Sequence, residues 1–366
     1  MSLKAGIVGL PNVGKSTLFN AITKKHILAA NYPFATIEPN VGVVTVPDLR
    51  LDFLNELYKP KSLVPASFEF TDIAGLVKGA SKGEGLGNKF LSHIREVDAI
   101  VNVVRCFEDE GITHVEGKID PIRDIEIINT ELILADLETI ENRISKLGKK
   151  MDMATEKKDK IEATSLRKAK ESLEAEIPLR LVDFNKDELL ALKAFNLITL
   201  KPVIYVANVN DDDAIVGDNK YTLEIKNYAS KEKSGVIVMS CEMESQLSDY
   251  SNEEKNEFLK ELGIANSGLD KLIYETYNLL GLRTFFTAGE KEVKAWTFKN
   301  GMTAPECAGI IHTDFERGFI RAEVMSYDDI VNYKSELKVK EAGKMRLEGK
   351  EYLMQDGDIC YFRFNV

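Results

Sequence analysis

Short apolar runs alternate with amphipathic, helix-like segments through most of the first 280 residues of this chain. A strand buried on both faces reads as a continuous apolar run, whereas a helix that packs on a sheet has apolar residues three and four positions apart. The alternation therefore predicts βαβ units and an α/β fold built on a largely parallel sheet. The predicted strands are residues 5–8, 41–46, 66–72, 99–104, 202–208 and 235–240.

The stretch from about residue 125 to residue 196 breaks this rhythm. Its apolar residues recur at alternating spacings of four and three, which is the period of a coiled-coil seam, and a second apolar series follows a charged turn. We therefore predict an antiparallel coiled-coil hairpin inserted into the α/β domain. Its lysine- and glutamate-rich outer surface is either a solvated face or a contact surface for an acidic partner such as RNA. The seam residues are Ile133, Leu137, Ile140, Ile144, Leu147, Met151 and Ala154, and the returning helix carries Ile161, Leu166, Ala169 and Leu173.

After residue 282 the pattern changes to separate short strands with turns between them. Strands are predicted at residues 293–298, 307–311, 319–324 and 359–364, with a helix at 327–332. This composition of elements indicates a small mixed α+β module at the end of the chain.

Composition and charge narrow the function classes. The chain has 366 residues, enough for two or three domains, and no apolar stretch approaches the roughly 20 residues of a membrane span. Its net charge of −11 argues against a surface that binds nucleic acid non-specifically. The four cysteines lie too far apart for a CxxC pair, and the N-terminus leads directly into a strand without room for a signal peptide. We expect free thiols and a cytoplasmic protein with no membrane contact.

Residues 9–17, Gly-Leu-Pro-Asn-Val-Gly-Lys-Ser-Thr, follow the pattern G-x-x-x-x-G-K-[ST] between a predicted strand and a predicted helix. In such a loop, successive backbone N–H groups converge on the phosphate oxygens of a nucleotide. Lys15 is expected to reach the β- and γ-phosphates, and the Ser16 hydroxyl to bind Mg²⁺. The sequence therefore predicts a nucleoside triphosphate site. The predicted phosphate-binding residues are Asn12, Val13, Gly14, Lys15, Ser16 and Thr17.

Two further segments are typical of nucleotide hydrolysis coupled to a conformational change. Asp72 ends an apolar strand, and Gly75 follows three residues later; in P-loop NTPases this Asp holds the Mg²⁺ shell and this glycine can sense the γ-phosphate. The glycine-rich run 76–87 suits a loop that orders on the γ-phosphate and relaxes on hydrolysis. Thr36, between two prolines, is placed to reach Mg²⁺ as a first switch. The predicted metal ligands are Ser16, Thr36 and Asp72.

The residues expected to read the base follow the last two strands of the α/β region: Asn208, Val209 and Asp211 after one, Ser240 after the other. GTPases have N-K-x-D at the first place, where the Asp carboxylate accepts from guanine N1–H and N2–H₂, donors that adenine lacks. This chain keeps Asn208 and Asp211 but has Val209 in place of the lysine. These residues alone leave ATP and GTP both open.

Together these motifs resemble the YchF subgroup of the Obg-related P-loop proteins, the Obg-like ATPases, and the resemblance runs essentially end to end. It is carried by the phosphate loop, by Asp-Ile-Ala-Gly-Leu-Val-Lys-Gly-Ala-Ser-Lys-Gly-Glu-Gly-Leu-Gly-Asn at 72–88, and by His-Thr-Asp-Phe-Glu-Arg-Gly-Phe-Ile-Arg at 312–321. It implies ATP in preference to GTP, and association with ribosomes or a ribosomal subunit. The implied domains are a P-loop NTPase G-domain over residues 1–124 and 197–282, a helical coiled-coil insertion over 125–196, and a C-terminal TGS domain over 283–366.

Four residues refine this picture. Leu76 stands where most switch GTPases carry a water-orienting glutamine, so another group must orient the attacking water. The resemblance implies His114 for that role; read as a residue alone, His114 is an ordinary loop histidine. Asp211 replaces the family's usual glutamate and restores a guanine-type carboxylate. Asn12, by analogy with related NTPases, would help to bind K⁺ beside the phosphates, or is a loop amide with local hydrogen bonds.

The leading hypothesis is a slow molecular-switch ATPase that uses Mg²⁺, with K⁺ as a further candidate, and acts as a monomer. Its catalytic candidates are Lys15, Gly75 and His114. The alternatives are a GTPase switch with the same architecture, and an RNA- or ribosome-binding scaffold with vestigial hydrolysis. A small-molecule kinase is disfavoured, because the inserted helices have a coiled-coil period and not the arginine-rich lid that a kinase would need.

Overall fold

A computed structural model describes residues 3–28, 40–73, 86–109, 111–115, 117–148 and 156–365 of the chain. The chain divides into two compact units: unit 1 consists of Met1–Val43 and Glu69–Leu272, and unit 2 of Val44–Phe68 and Ile273–Val366. This division differs from the sequence-based one in two respects. It places residues 44–68 with the C-terminal part of the chain, and it does not separate the helical insertion from the α/β part.

The elements are numbered in chain order. The strands are β1 (Lys4–Val8), β2 (Val41–Thr45), β3 (Ser62–Val64), β4 (Ser67–Asp72), β5 (Ala99–Arg105), β6 (Val203–Asn208), β7 (Gly235–Met239), β8 (Leu282–Ala288), β9 (Glu292–Lys299), β10 (Phe319–Met325), β11 (Arg346–Glu348) and β12 (Ile359–Phe364). The α-helices are α1 (Lys15–Leu28), α2 (Leu49–Tyr58), α3 (Leu86–Glu96), α4 (Pro121–Leu147), α5 (Lys157–Glu174), α6 (Lys186–Leu192), α7 (Asp211–Val216), α8 (Lys220–Glu232), α9 (Cys241–Leu247), α10 (Asn252–Glu261), α11 (Gly268–Leu279), α12 (Ala304–Ile311), α13 (Thr313–Arg317), α14 (Tyr327–Tyr333) and α15 (Glu336–Glu341).

The first sheet has the strand order β2-β4-β1-β5-β6-β7. Strand β1 pairs in parallel with β4 and β5, β5 with β6, and β6 with β7. Strands β5 and β6 are buried along their whole length, which explains their continuous apolar runs. All six strands predicted for this region are present, and each end lies within one residue of the prediction. The carboxyl ends of the parallel strands share one edge, where α/β proteins bind their ligands.

Helix α4 leaves this edge and leads into the insertion. The Asp120 carboxylate caps it by accepting from the Arg123 N–H at 3.1 Å, and Pro121 occupies its first turn. Its apolar face packs against α5, and Arg143 bonds Glu162 across the pair at 2.6 Å. The predicted seam residues Ile133, Leu137, Ile140, Ile144 and Leu147 all lie in or against this cluster, whereas Met151 and Ala154 lie outside the described residues.

Two buried polar contacts attach the insertion to the rest of unit 1. The Asp136 carboxylate on α4 accepts from the backbone N–H of Ile198 at 2.9 Å and of Thr199 at 2.7 Å, and from the Thr199 hydroxyl at 2.7 Å. Arg180, in the turn after α5, pairs with Glu232 at the end of α8 at 3.1 Å. Because the chain returns to β6 directly after Thr199, the Asp136 contact fixes where the insertion ends.

Unit 2 is built on a second sheet, in the order β11-β10-β12-β8-β9-β3. Strand β3 comes from the segment before β4 and pairs in parallel with β9, so two distant parts of the chain form this unit. The strands predicted at 293–298, 319–324 and 359–364 and the helix predicted at 327–332 are present as β9, β10, β12 and α14. Strands β3, β8 and β11 were not predicted from the sequence.

The strand predicted at residues 307–311 is wrong, because this run lies in helix α12. Five consecutive apolar residues do not distinguish a strand from a buried helix by periodicity. The signal that decides is upstream: the Thr303 N–H and hydroxyl both bond the Glu306 carboxylate, at 2.7 and 2.8 Å, and a proline sits in the first turn. Ala304, Cys307 and Ala308 then form the buried face at helical spacing.

Cys106, Cys241, Cys307 and Cys360 are free thiols, as predicted, and all four are buried. Burial raises the pKa of each thiol, so all four remain protonated near neutral pH. Within the described part of the chain, no helix has the length and apolar character needed to cross a bilayer.

Replacing Asp136 by alanine is expected to lower the free energy of unfolding by about 3 kcal/mol, because two buried N–H groups lose their acceptor. Urea unfolding followed by circular dichroism measures the change. Glu138→Ala, at an exposed position two residues further along α4, is the matched control and should cost little. Equal effects of the two substitutions would contradict a special role for the Asp136 contact.

Candidate functional site

The loop between β1 and α1 contains the predicted phosphate-binding residues. Asn12 and Gly14 adopt the left-handed backbone region, with φ of 63° and 98°. A Cβ on Gly14 would lie 2.2 Å from Asn208 Nδ2, so a larger residue here must displace Asn208. Lys15, Ser16 and Thr17 form the first turn of α1, and the free N–H groups of such a helix end attract anions.

Lys15 and Asp72 meet beside this loop. Strand β4 lies next to β1 with Asp72 opposite Ile7, so Asp72 at the end of β4 falls beside the start of the loop. The Lys15 ammonium is 2.5 Å from Asp72 Oδ1, and the two side chains are only 10% and 20% exposed. The predicted Thr36 and Gly75 lie outside the described residues.

Asn208 is the buried residue that joins the loops at this edge. Its Nδ2 donates to the Val13 carbonyl at 2.9 Å, and its Oδ1 accepts from the Cys241 N–H at 2.9 Å. Its own carbonyl accepts from the Cys106 N–H at 2.8 Å. The amide is therefore already bonded to protein on both its donor and its acceptor side.

Asp211 and Ser240 also meet. Asp211 is the first residue of α7, and its Oδ1 accepts from the Ser240 hydroxyl at 2.5 Å. Ser240 in turn accepts from the Met243 N–H at 3.1 Å and so caps α9. The Val209 N–H donates to the Met239 carbonyl at 3.0 Å. The orientation of the Asp211 carboxylate is thereby fixed by a neighbouring strand end.

Part of this set lines a cavity of about 770 Å³, within the size range of small-molecule sites, whereas Val13, Lys15, Ser16 and Asp72 are not among its lining residues. Seven predicted residues line it: Asn12, Gly14, Thr17, Asn208, Val209, Asp211 and Ser240. Lining residues that were not predicted are Phe107, Glu108, Asp109, Ile112, Asn210, Asp212, Cys241 and Glu242. A signal for the first four existed, because they follow the carboxyl end of β5, the edge where such folds bind ligands.

The wall of this cavity near α7 and α9 is acidic. Five carboxylates line it: Glu108, Asp109, Asp211, Asp212 and Glu242. Hydrogen bonds from the Tyr221 hydroxyl and from Lys220 hold the pKa of Glu108 below its usual value, so it is ionised at neutral pH. Such a wall favours a ligand that presents hydrogen-bond donors there, as the amino groups of both purines do.

His114 is buried and does not line the cavity. Its Nε2 is 2.8 Å from Asp124 Oδ2, and Arg123 bonds the other oxygen of Asp124 at 3.1 Å. The residue before it reaches the phosphate loop, because the Thr113 carbonyl accepts from Asn12 Nδ2 at 3.2 Å. The structure thus brings the main chain beside His114 to the phosphate loop, and its imidazole to the first turns of α4.

Two protein-family models match the chain. One, described as 50S ribosome-binding GTPase, matches residues 4–136 and so includes the phosphate loop. The other, YchF-GTPase_C, is described as a protein of unknown function (DUF933) and matches residues 282–365.

Relatives match over the full length. A protein of Bacillus subtilis (strain 168) named "Ribosome-binding ATPase YchF" is 60% identical over 370 residues, with 100% of both chains covered. A protein of Escherichia coli O157:H7 with the same name is 53% identical over 366 residues, again with 100% of both covered. The solved structure of the Schizosaccharomyces pombe YchF GTPase is 45% identical, has a TM-score of 0.89, and covers 99% of this chain and 98% of its own.

Gly14→Ala is expected to weaken the binding of a fluorescent ATP analogue about tenfold or more, because the new methyl group must displace the Asn208 amide. Fluorescence titration in the presence of Mg²⁺ measures this. The control is Gly289→Ala, since a Cβ there meets nothing within 4 Å. Unchanged binding by the Gly14 variant would show that the Gly14–Asn208 contact does not shape the site.

Proposed function

The chain belongs to the YchF family, and we propose that it is an ATP-binding, ATP-hydrolysing molecular switch that associates with ribosomes. The names of the full-length relatives from Bacillus subtilis and Escherichia coli support both the nucleotide and the partner. Since alignment covers all of this chain and all of each relative, the proposal applies to the protein as a whole and not to one domain.

The observation that carries the proposal is the single cavity between the phosphate loop and the Asn208–Asp211 segment. A nucleotide placed there has its phosphates at the N-terminus of α1 and its base near Asp211 and Ser240. Lys15 is the cation at the phosphate end; its contact with Asp72 would be exchanged for phosphate oxygens when nucleotide binds.

The donor set near Lys15 fits Mg²⁺. The Ser16 hydroxyl and the Asp72 carboxylate are oxygen ligands, as Mg²⁺ prefers, and Thr36 is the proposed third protein ligand. The described residues contain no group of three or more His, Cys, Asp or Glu side chains placed to hold a metal. This agrees with an ion bound by few protein groups and completed by substrate phosphates and water. When bound, the ion would neutralise charge that develops on the phosphates.

The base-binding residues are proposed to be Asn208, Val209, Asp211 and Ser240. The relatives' names favour ATP. A specific observation favours GTP as the second candidate: Asp211, held by Ser240, lines the cavity, and a carboxylate there can accept from guanine N1–H and N2–H₂. The same architecture would then serve a GTPase switch.

For hydrolysis we propose Lys15, Gly75 and His114 as the catalytic set. Leu76 cannot orient water, so His114 is the candidate, and reaching a γ-phosphate requires its imidazole to leave Asp124. Asn12 is the proposed K⁺ ligand: its Nδ2 is fixed by the Thr113 carbonyl, which leaves its Oδ1 to face a cation. A cation there would supply the charge that an arginine finger brings elsewhere.

The remaining parts are proposed to carry the signal. The α4–α5 pair is the coiled-coil insertion, and the C-terminal module is a TGS domain that contacts the ribosome, including its RNA. We further propose a monomeric, cytoplasmic protein. Lys157, Lys158 and Lys160 are exposed at the start of α5 and offer positive charge to phosphates despite the acidic whole.

ATP is expected to bind at least about tenfold more tightly than GTP to the same Mg²⁺-loaded preparation, a difference of about 1.4 kcal/mol. Equilibrium titration with fluorescent analogues measures both. Lys15→Ala should abolish single-turnover phosphate release from ATP, since the phosphates lose their cation. Tighter GTP binding would assign the chain to the GTPase alternative. If the wild type releases phosphate no faster than Lys15→Ala, the RNA- or ribosome-binding scaffold with vestigial hydrolysis is favoured. If the protein does not co-sediment with ribosomes in either nucleotide state, the proposed association with ribosomes is wrong.

Replacing K⁺ by Na⁺ at constant ionic strength is expected to slow ATP turnover several-fold, because the smaller ion fits the same oxygen ligands poorly. Asn12→Ala should turn over slowly in both salts and lose the difference between them. Steady-state phosphate release gives the comparison. Equal wild-type rates in K⁺ and Na⁺ would eliminate the proposed K⁺ site.

A further inference from the structure

Arg105 is an unusual residue at the nucleotide edge of the first sheet. It is the last residue of β5 and is only 1% exposed. Burying a guanidinium is costly in desolvation unless its donors are bonded. Here Nε donates to the Phe107 carbonyl at 3.1 Å, Nη1 to the Ile112 carbonyl at 2.9 Å, and Nη2 to the Asp109 carbonyl at 3.2 Å. All three acceptors are main-chain oxygens of one short segment.

Four described residues of that segment, Phe107, Glu108, Asp109 and Ile112, form a wall of the nucleotide cavity. Phe107, Asp109 and Ile112 all line the cavity, so the side chains held by these carbonyl bonds are the ones that face a ligand. The Arg105 guanidinium carbon also lies 4.7 Å from the centre of the Phe107 ring, and this cation–π contact fixes the ring as well as its main chain. One side chain thus sets both the path and the orientation of the wall.

The wall extends to the phosphate end of the cavity. Directly after Ile112, the Thr113 carbonyl accepts from Asn12 Nδ2 at 3.2 Å. At its other end, Cys106 donates its N–H to the carbonyl of Asn208 at 2.8 Å. The segment that Arg105 holds therefore bridges the two places where phosphates and base are proposed to bind. Arg105 itself is not among the described residues that line the cavity.

We propose that Arg105 is a positioning residue for nucleotide binding: it holds residues 107–109 and 111–113 in the arrangement that lines the cavity from the base to the phosphate loop. The proposal rests on the proposed nucleotide-binding function. Arginine suits this task because its planar fork presents five donors at fixed angles, whereas a lysine ammonium carries its three donors on a single atom. Lysine at this place can therefore restore the contacts only in part.

The test compares Arg105→Met, Arg105→Lys and the matched control Arg95→Met. Arg95 also donates to main-chain carbonyls, those of Ala135 at 3.3 Å and Asn196 at 3.2 Å, but neither of these two residues lines the cavity. Each protein is titrated with a fluorescent ATP analogue in Mg²⁺. Its melting temperature, its kcat and KM for ATP, and the ATP-dependent hydrogen exchange of amides 107–113 are measured in parallel.

We expect Arg105→Met to raise Kd and KM about tenfold or more and to abolish the protection that ATP gives to amides 107–113. Arg105→Lys should fall between it and the wild type. Arg95→Met should lower the melting temperature while leaving Kd and amide protection at wild-type values. If Arg105 had a purely structural role, Arg105→Met would lower the melting temperature, but its Kd for the ATP analogue would change no more than the Kd of Arg95→Met. That result overturns the proposal.

If Arg105→Met does not fold, the measurements on Arg105→Lys test the proposal. Wild-type affinity and wild-type amide protection in Arg105→Lys reject it. Failure of both variants to fold also rejects it. If the wild-type chain binds neither ATP nor GTP, the proposed function itself fails, and the positioning role falls with it. A wild type that binds ATP alongside an Arg105→Met variant that binds it equally well rejects only the positioning role.

Discussion

The site depends on the buried side-chain amide of Asn208. A carboxamide has a donor and an acceptor at its two ends, so one residue can join a carbonyl of the phosphate loop to an N–H at the start of α9. Its main chain adds a third bond, to the segment that leaves β5. Three loops that follow three parallel strands are thus each bonded to Asn208, and a fixed geometry of this kind is what electrostatic recognition of phosphates requires.

The elements that the sequence predicted correctly are those whose signal lies in their own residues. Strands β5 and β6 are buried along their whole length, so most of their residues are apolar, and these apolar runs identify the strands in the sequence. Reasoning failed where the partner was distant. Strand β3 has only three residues and exists because β9, more than two hundred positions later, offers it an edge. Helix α12 was mistaken for a strand because its capping residues stand before the apolar run.

The same distinction holds in the candidate site. The phosphate loop and Asp72 were predictable because the spacing of their residues along the chain is enough to identify them: G-x-x-x-x-G-K-[ST] for the loop, and an Asp at a strand end three residues before Gly75. Phe107 and Ile112 belong to no motif; they line the cavity in the folded chain, where Arg105 donates to the carbonyls of both. The orientation of His114 was likewise not predictable, since it depends on Asp124, which lies on a helix whose direction only the folded structure supplies.

Helix α4 has a mechanical consequence. Its first turns hold Asp124 against His114, and Asp136 further along binds the returning chain. At about 1.5 Å per residue, the helix runs about 35 Å from Asp124 to Leu147. A tilt of about 5° at the His114 end would therefore carry the far end through about 3 Å, roughly the length of one hydrogen bond. A helix of this length would convert a small rotation beside the nucleotide edge into a displacement of several ångströms at the tip of the α4–α5 pair.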